Sequence, residues 1–399
     1  MENIWISSPG GVLAVLCGVA AFWFVIDQLT QWKLFQYVPP LLFIYATPVF
    51  LNNFGVIPST DSPVYSGLSN FVLPAFIVLM LIKVDVPAAI RVMGKGVLVM
   101  LMGSAGVVVG AVVSYAIVHR WLAPDAWTGV GALAGSWLGG TGNMAAVSEM
   151  LETPPEQFGL AVITDNVIYL IWLPILLGSK NVADRFNKWT RVPEGRLKMM
   201  DSAASATLEQ ERVPEMRDYI YLAAIAIGVT WVSTLLAARI FSVMQASYPA
   251  LQTILNESTW RILLLTTLSL TLSTTRISTL PNATALGTAM IYVFVAGMGA
   301  RASIEGLGQA PAFLLGGLIW ILIHGAFCVL GAKIFRVDVS SAAIASAANI
   351  GAAASAPIVA AFHRPSLVPV SILMALIGYA LGNYLGWAAG HLARIVAGQ

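Results

Sequence analysis

Hydrophobic runs of spanning length alternate with short polar breaks along the whole chain, and this pattern predicts helices. A membrane-spanning helix needs about 20 apolar residues, with roughly 17–25 tolerated. In the first half such runs cover 10–26, 34–51, 67–82, 96–118, 126–148 and 158–178. In the second half they cover 219–238, 262–276, 285–300, 311–332, 339–362 and 367–390. Between them lies 179–218, a hydrophilic stretch with eight Lys/Arg and seven Asp/Glu. It is too short and too mixed in charge for a catalytic domain. It reads as a linker with room for one short surface helix. The organisation expected is therefore a first membrane repeat over 1–178, the linker 179–218, and a second membrane repeat over 219–399.

The fifth run of each half departs from a plain lipid-facing helix. Residues 126–148 form 23 uncharged residues, with glycine at 135, 139, 140 and 142 and with Ser136, Thr141 and Asn143 among them. Each glycine weakens a helix by about 1 kcal/mol relative to alanine. Backbone groups freed in hydrocarbon must find partners in protein or in a water-filled cavity. This predicts a broken or re-entrant segment lining a binding site, with tight packing through small residues as the alternative. Residues 339–362 hold 24 uncharged residues, 11 of them alanine, with Ser346, Asn349, Gly351 and Ser355 inside. An alanine-rich run packs helices equally well, so its site role is the weaker of the two.

The halves align without gaps at an offset of 210. Arg91 falls on Arg301, Gly96 on Gly306, Ser136 on Ser346, Pro155 on Pro365 and Tyr169 on Tyr379. The parallel order of runs is stronger evidence than these matches. Internal repeats of this kind mark secondary transporters. Charge then decides the topology. If the fifth run does not cross, Lys33, Lys83, Arg91, Lys95 and the eight basic residues of the linker share one side, against Arg120 on the other. If it crosses, the split becomes nine to four. The positive-inside rule favours the first arrangement. The fold expected is an all-α polytopic membrane protein with two inverted repeats, each of five transmembrane helices plus one re-entrant hairpin or broken helix. That makes ten spans plus two hairpins. In a bacterial inner membrane the linker is expected in the cytoplasm and both termini outside.

Composition agrees. The chain of 399 residues is 58% hydrophobic and 10% charged, against about 25% charge in soluble domains. No basic cluster suggests nucleic acid. Cys17 and Cys328 both sit in apolar runs, which argues for small buried hydrophobes and against a disulfide or metal site. The first ten residues lack the basic residues of a signal peptide, so no cleaved targeting segment is expected. There is no GxSxG elbow, HExxH, P-loop or paired His/Cys spacing, so neither an enzyme nor an ATP-driven pump is expected. No cofactor is expected beyond Na⁺ as a possible coupling ion.

Asp165 is the sequence's clearest chemical candidate. It lies seven residues into an otherwise uncharged run, with Asn166 beside it and Tyr169 one turn on. A carboxylate at the centre of a bilayer costs about 2.5–3.5 kcal/mol on insertion scales, and it is a functional candidate by default. Asp165 and Asn166 are assigned to cation binding or proton carriage, against a structural role for Asp165 as a hydrogen-bond partner of the broken segment. Position 375, the mate of Asp165, is alanine, so the halves do not offer equivalent acids. The free N–H groups of a broken helix suit an anion, and the carbonyls of the opposite broken end suit Na⁺. Ser136, Gly139, Gly140, Thr141, Gly142 and Asn143 are the substrate-binding candidates of the first half, and Ser346, Asn349, Gly351 and Ser355 those of the second. Glu149 and the pair Lys83 and Asp85 read as membrane-edge groups. For His324, packing and proton relay are both open. Asn52, Asn53 and Asn282 read as span-end groups able to line an access path, and Asn383 as a bond to a neighbouring helix.

The stretch 134–143 (AGSWLGGTGN), the Asp165-Asn166 pair and 345–351 (ASAANIG) resemble the YjcL-type family of uncharacterised bacterial and plastid membrane proteins. The resemblance covers nearly the whole chain. More distantly, the spacing of 134–142 is similar to the first hairpin of sodium:glutamate symporters. That resemblance implies inverted five-helix repeats, hairpins or crossed broken helices, a scaffold domain with a mobile core, elevator-like alternating access and a homodimer. After Gly351 the chain departs from the pattern: Ala352-Ala353-Ala354-Ser355-Ala356-Pro357 stands where Gly-Pro with a nearby threonine is expected. The function expected is Na⁺- or H⁺-coupled symport of a small organic anion, an amino acid or carboxylate. The alternatives are a monovalent cation/proton antiporter and, third, a non-transporting scaffold or sensor.

Overall fold

The computed structural model of the protein describes residues 4–398 except 31–34, 36–39, 61, 86, 88–89, 91–92, 194–211, 249–250, 252–254 and 303–307. Arg91 and most of the linker therefore lie outside the described residues. The described chain is helical. The first half holds α1 (Pro9–Thr30), α2 (Pro40–Asn53), α3 (residues 63–81), α4 (Lys95–Val118), α5 (Ala126–Gly139), α6 (Thr141–Met150) and α7 (Pro155–Gly178). A short amphipathic helix, α8 (Ala183–Thr190), opens the linker. The second half holds α9 (Met216–Ser247), α10 (Glu257–Ser273), α11 (Ala283–Arg301), α12 (Ala310–Phe335), α13 (Val339–Asn349), α14 (Ala352–His363) and α15 (Val368–Val396).

Among the described residues eight helices are long and apolar enough to cross a membrane. The two shorter ones are α2, with 14 residues, and α10, with 17. Their sequence runs counted as spans, but much of 31–39 lies outside the described residues, and Asn256 sets the start of α10 by accepting from Thr259 N at 2.7 Å. Side-chain caps of this kind satisfy the first free amides of a helix. The third run starts earlier than its hydropathy suggests because Ser62-Pro63 opens α3, with proline in the first turn and Ser62 Oγ accepting from Val64 N. A single π-turn, Leu68–Val72, interrupts α3. The run at 219–238 is the middle of a 32-residue helix, α9, which carries Arg239 on its exposed side.

Both fifth runs fold back on themselves. In the first, α5 and α6 meet at Gly140, and a Cβ at Gly135 would lie 2.8 Å from Asn143 O and 3.0 Å from Val147 Cγ2. In one straight helix, residues 12 apart stand about 18 Å apart. Thr153 Oγ1 donates to Thr128 O, closing the mouth of this hairpin. In the second, α13 and α14 turn at Gly351, and His363 Nδ1 lies 3.4 Å from Ser340 Oγ at the mouth. Gly140 has φ 86° and ψ −177°, and Gly351 has φ 89°. Such backbone is open to glycine and strained for other residues, so these two glycines place the turns.

The first mouth leads directly into the start of α7, with Phe158 N donating to Pro154 O. The second mouth meets the other end of α7: Lys180 Nζ donates to Phe362 O, and His363 Nε2 lies 2.9 Å from Leu176 O. Around the first mouth gather the start of α10, through Asn256 Nδ2 on Met150 O, and the end of α15, through Arg394 over the Trp127 ring. Around the second gather α8 and the end of α12, with Asn187 Oδ1 accepting from Val339 N and Lys333 Nζ on Trp189 O.

Several polar groups at the helix ends fasten neighbouring elements together. Asn52 and Asn53 donate to Ala302 O, Lys83 Nζ donates to Ser278 O and Leu280 O, and Asn282 Nδ2 donates to Tyr219 OH.

Candidate functional site

The two hairpin tips touch. A Cβ on Gly140 would lie 2.9 Å from Ala352 Cβ and 3.6 Å from the Tyr379 hydroxyl of α15. A Cβ on Gly351 would lie 3.2 Å from Tyr169 Cε2 of α7. α7 and α15 thus cradle the junction from two sides. α5 has 14 residues and α13 has 11. At about 1.5 Å per residue this sets the tips roughly 16–21 Å from their mouths.

Asp165 stands beside this junction, and both of its oxygens accept a bond from the first hairpin. Ser136 Oγ donates to Oδ2 at 2.9 Å and Trp137 Nε1 donates to Oδ1 at 2.8 Å. Trp137 is fully buried and its ring lies 4.8 Å from that of Trp320. A carboxylate has about four acceptor positions, so two remain for a cation or a proton. One turn on, Tyr169 reaches the tip of the second hairpin. Asp165 and Tyr169 therefore connect one helix to both hairpins.

Asn143 connects the first hairpin to the second half. Its amide donates to Asn383 Oδ1 at 2.8 Å and to Tyr379 O at 3.0 Å. Asn383 in turn donates to Thr266 Oγ1 on α10 at 2.8 Å. Glycines 139 and 142 are packing positions. A Cβ on Gly139 would strike Asn143 Oδ1 and Gly378 O, and one on Gly142 would strike the Phe76 ring.

The second hairpin is held differently. Ser346 Oγ accepts from Trp172 Nε1 at 3.0 Å and lies 2.9 Å from His324 Nε2. His324 Nδ1 lies 3.0 Å from Gly103 O, which can only accept. The network closes when Nδ1 carries the proton and Ser346 donates to Nε2. Asn349 donates to Met100 O and accepts from Ser104 Oγ, which fastens the hairpin to α4. Ser355 Oγ contacts Ala347 O at 3.0 Å and Ile350 O at 2.8 Å, bracing the tip from inside.

Of the residues singled out from sequence, Ser136 and Asp165 meet directly. Gly140, Gly351 and Ser355 shape the touching tips, Thr141 follows the first turn, and Asn143 lies in the first turn of α6. Asn166 does not join Asp165: its amide donates to Val162 O of its own helix. Ser346 and Asn349 are engaged with protein groups. Glu149 pairs with Arg261 Nη2 at 3.2 Å. Trp137 and Trp172 were not among the sequence candidates. Their signal was the placement of tryptophan inside small-residue or buried stretches, where an indole N–H needs an acceptor.

The helices and the paired hairpins define a multi-pass helical membrane protein with a polar, carboxylate-bearing junction between two re-folded segments. Residues 14–396 match the family model described as "Protein of unknown function (DUF819)". The chain belongs to that family. It is similar to the uncharacterized membrane protein YjcL of Bacillus subtilis (strain 168), at 26% identity over 387 residues, covering 94% of this chain and 96% of that protein.

Proposed function

We propose that the protein is a secondary active transporter, coupling Na⁺ or H⁺ movement to symport of a small organic anion by elevator-like alternating access. The observation that carries this reading is the contact of the two hairpin tips beside Asp165. Broken helix ends at mid-depth offer N–H groups to an anion and carbonyls to a cation. The spare acceptor positions of Asp165 make it the coupling group.

The reading includes two inverted repeats and ten spans, with α2 and α10 as the short ones. Its support is that one hairpin mouth lies at the start of α7 and the other at its end, next to Leu176. On this reading the linker is cytoplasmic and both termini lie outside in the inner membrane. The hairpins with α4, α7, α12 and α15 form the moving body, and the remaining spans form the scaffold of a homodimer.

Purified protein in liposomes, offered labelled amino acids and carboxylates under an imposed Na⁺ or pH gradient, tests the reading. Gradient-dependent accumulation of one solute is expected, and none with any solute or gradient contradicts it. Because Asp165 is a single carboxylate between the hairpins, cation/proton exchange is the second reading. A pH-sensitive dye in vesicles free of organic solute separates the two, since only an exchanger responds to added Na⁺ or K⁺ alone.

A further inference from the structure

A cavity of about 700 Å³ opens at the mouth of the first hairpin, between the start of α3 and the end of α11. Its size lies in the small-molecule range of roughly 300–1,000 Å³. Hydroxyl and amide groups line much of it, including Ser66, Ser69 and Asn70, together with Glu149, Glu152 and Arg301. The charges in it are not equivalent. Arg261 pairs with Glu149 at 3.2 Å and so offsets it. Glu152 is exposed, and one of its oxygens, Oε1, accepts a bond from Asn256 Nδ2 at 2.8 Å, so Oε2 remains available. Arg301 closes α11, and its guanidinium, which makes no hydrogen bond or ion pair with a described residue, lies within electrostatic reach of Glu149 and Tyr65. Glu152 thus keeps an acceptor oxygen and Arg301 keeps donor N–H groups within a single polar cavity.

The helices α3 and α6 that wall this cavity also line a small void among Phe76, Gly142, Asn143, Tyr379 and Asn383. The Phe76 ring packs on Gly142 at one wall of this void.

We infer that this cavity is the entry site of the transported solute and that the solute is zwitterionic, carrying a carboxylate for Arg301 and an ammonium for Glu152. Arg301 has five donors in a planar fork that matches a carboxylate bidentately. An anion without an ammonium would leave the open Glu152 oxygen unused, and an amine without a carboxylate would leave the Arg301 donor fork unused. The inference rests on the transporter reading and narrows its substrate class from amino acid or carboxylate to the first.

The test uses the full chain with Cys17→Ser, since Cys17 is exposed and Cys328 is buried, and with Ser66→Cys as a reporter in the cavity. Maleimide labelling is timed in the presence of glycine, L-alanine, L-glutamine or L-leucine, then of acetate or L-lactate, then of ethylamine. At a concentration ten times Kd, one-site occupancy slows labelling about elevenfold. At least one zwitterion is expected to protect where the matched anion and amine do not. Arg301→Gln and Glu152→Gln are each expected to abolish that protection. Thr60→Cys, also on the cavity wall, repeats the measurement should Ser66→Cys fail to fold. Protection by acetate or lactate equal to that by the zwitterions overturns the inference, as does protection that survives Arg301→Gln, or no protection by any compound. Labelling needs no transport, so absent uptake with intact protection would count against the transporter reading and not against the site.

Discussion

Gly140 and Ala352 face each other across the tips of two hairpins, and a Cβ placed on Gly140 would stand 2.9 Å from that of Ala352. The contact joins residues 212 positions apart in sequence. It brings the turn of the first half against the turn of the second, with Tyr169 and Tyr379 on either flank.

Gly140→Ala should therefore be costly for two reasons. Its φ of 86° with ψ near −177° is essentially glycine-only backbone, worth about 1–3 kcal/mol of strain for another residue, and the added methyl meets Ala352. Thermal unfolding in detergent is expected to show that loss. Gly228→Ala, where a Cβ meets nothing within 4 Å, is the control, expected to be neutral or slightly stabilising. Equal behaviour of the two variants would contradict the described turn.

The Trp137 indole should be coupled energetically to Asp165. Hydrogen bonds to charged groups contribute about 1.5–3 kcal/mol. In a double-mutant cycle, Trp137→Phe and Asp165→Asn are expected to be non-additive in unfolding free energy. Simple additivity would mean that the 2.8 Å bond carries no weight.

Ser346 separates a structural from a ligand role in the second hairpin. Ser346→Ala leaves Trp172 Nε1 without its acceptor and the buried His324 Nε2 with only the weak thiol donor of Cys328 at 3.5 Å, an expected loss of about 1–3 kcal/mol for the orphaned indole. Thermal unfolding should reveal it in the absence of any solute. A variant with unchanged stability but altered solute affinity would make Ser346 a direct ligand instead.

The membrane orientation is open to direct labelling. Arg120 is exposed after α4, and Asp184 is exposed on α8. In intact cells an impermeant thiol reagent is expected to label Arg120→Cys from outside and Asp184→Cys only after permeabilisation. Labelling of both from the same side would remove the inverted arrangement.

Much of this architecture was legible in the chain. The glycine run at 135–142 and the alanine run with Gly351 marked the two interrupted segments because few other structures tolerate them in hydrocarbon. The charge asymmetry favoured a fifth run that folds back, and α5 and α6 do pack against each other. Asp165 was visible because nothing else charged shares its run. Other features were hidden for physical reasons. Hydropathy cannot see an N-cap, so the starts of α3 and α10 were displaced. It counts apolar residues without knowing what they face, so the length of α9 was missed beyond Arg239. Residue type alone does not say whether an asparagine meets a solute or a helix. Asn349 proved to fasten α4, and Asn166 bonds to its own backbone. The donors to Asp165 and Ser346 came from tryptophans, a residue usually read as an interfacial anchor.

The most direct test of the central claim is gradient-driven solute accumulation in liposomes by wild type and Asp165→Asn. The substitution nearly preserves side-chain size but removes the carboxylate. Wild type is expected to concentrate its solute above the outside level under a Na⁺ or pH gradient. The variant, folded by its thermal unfolding profile, is expected at most to equilibrate the solute. Gradient-driven accumulation by Asp165→Asn at the wild-type level would contradict the assignment of this carboxylate as the coupling group.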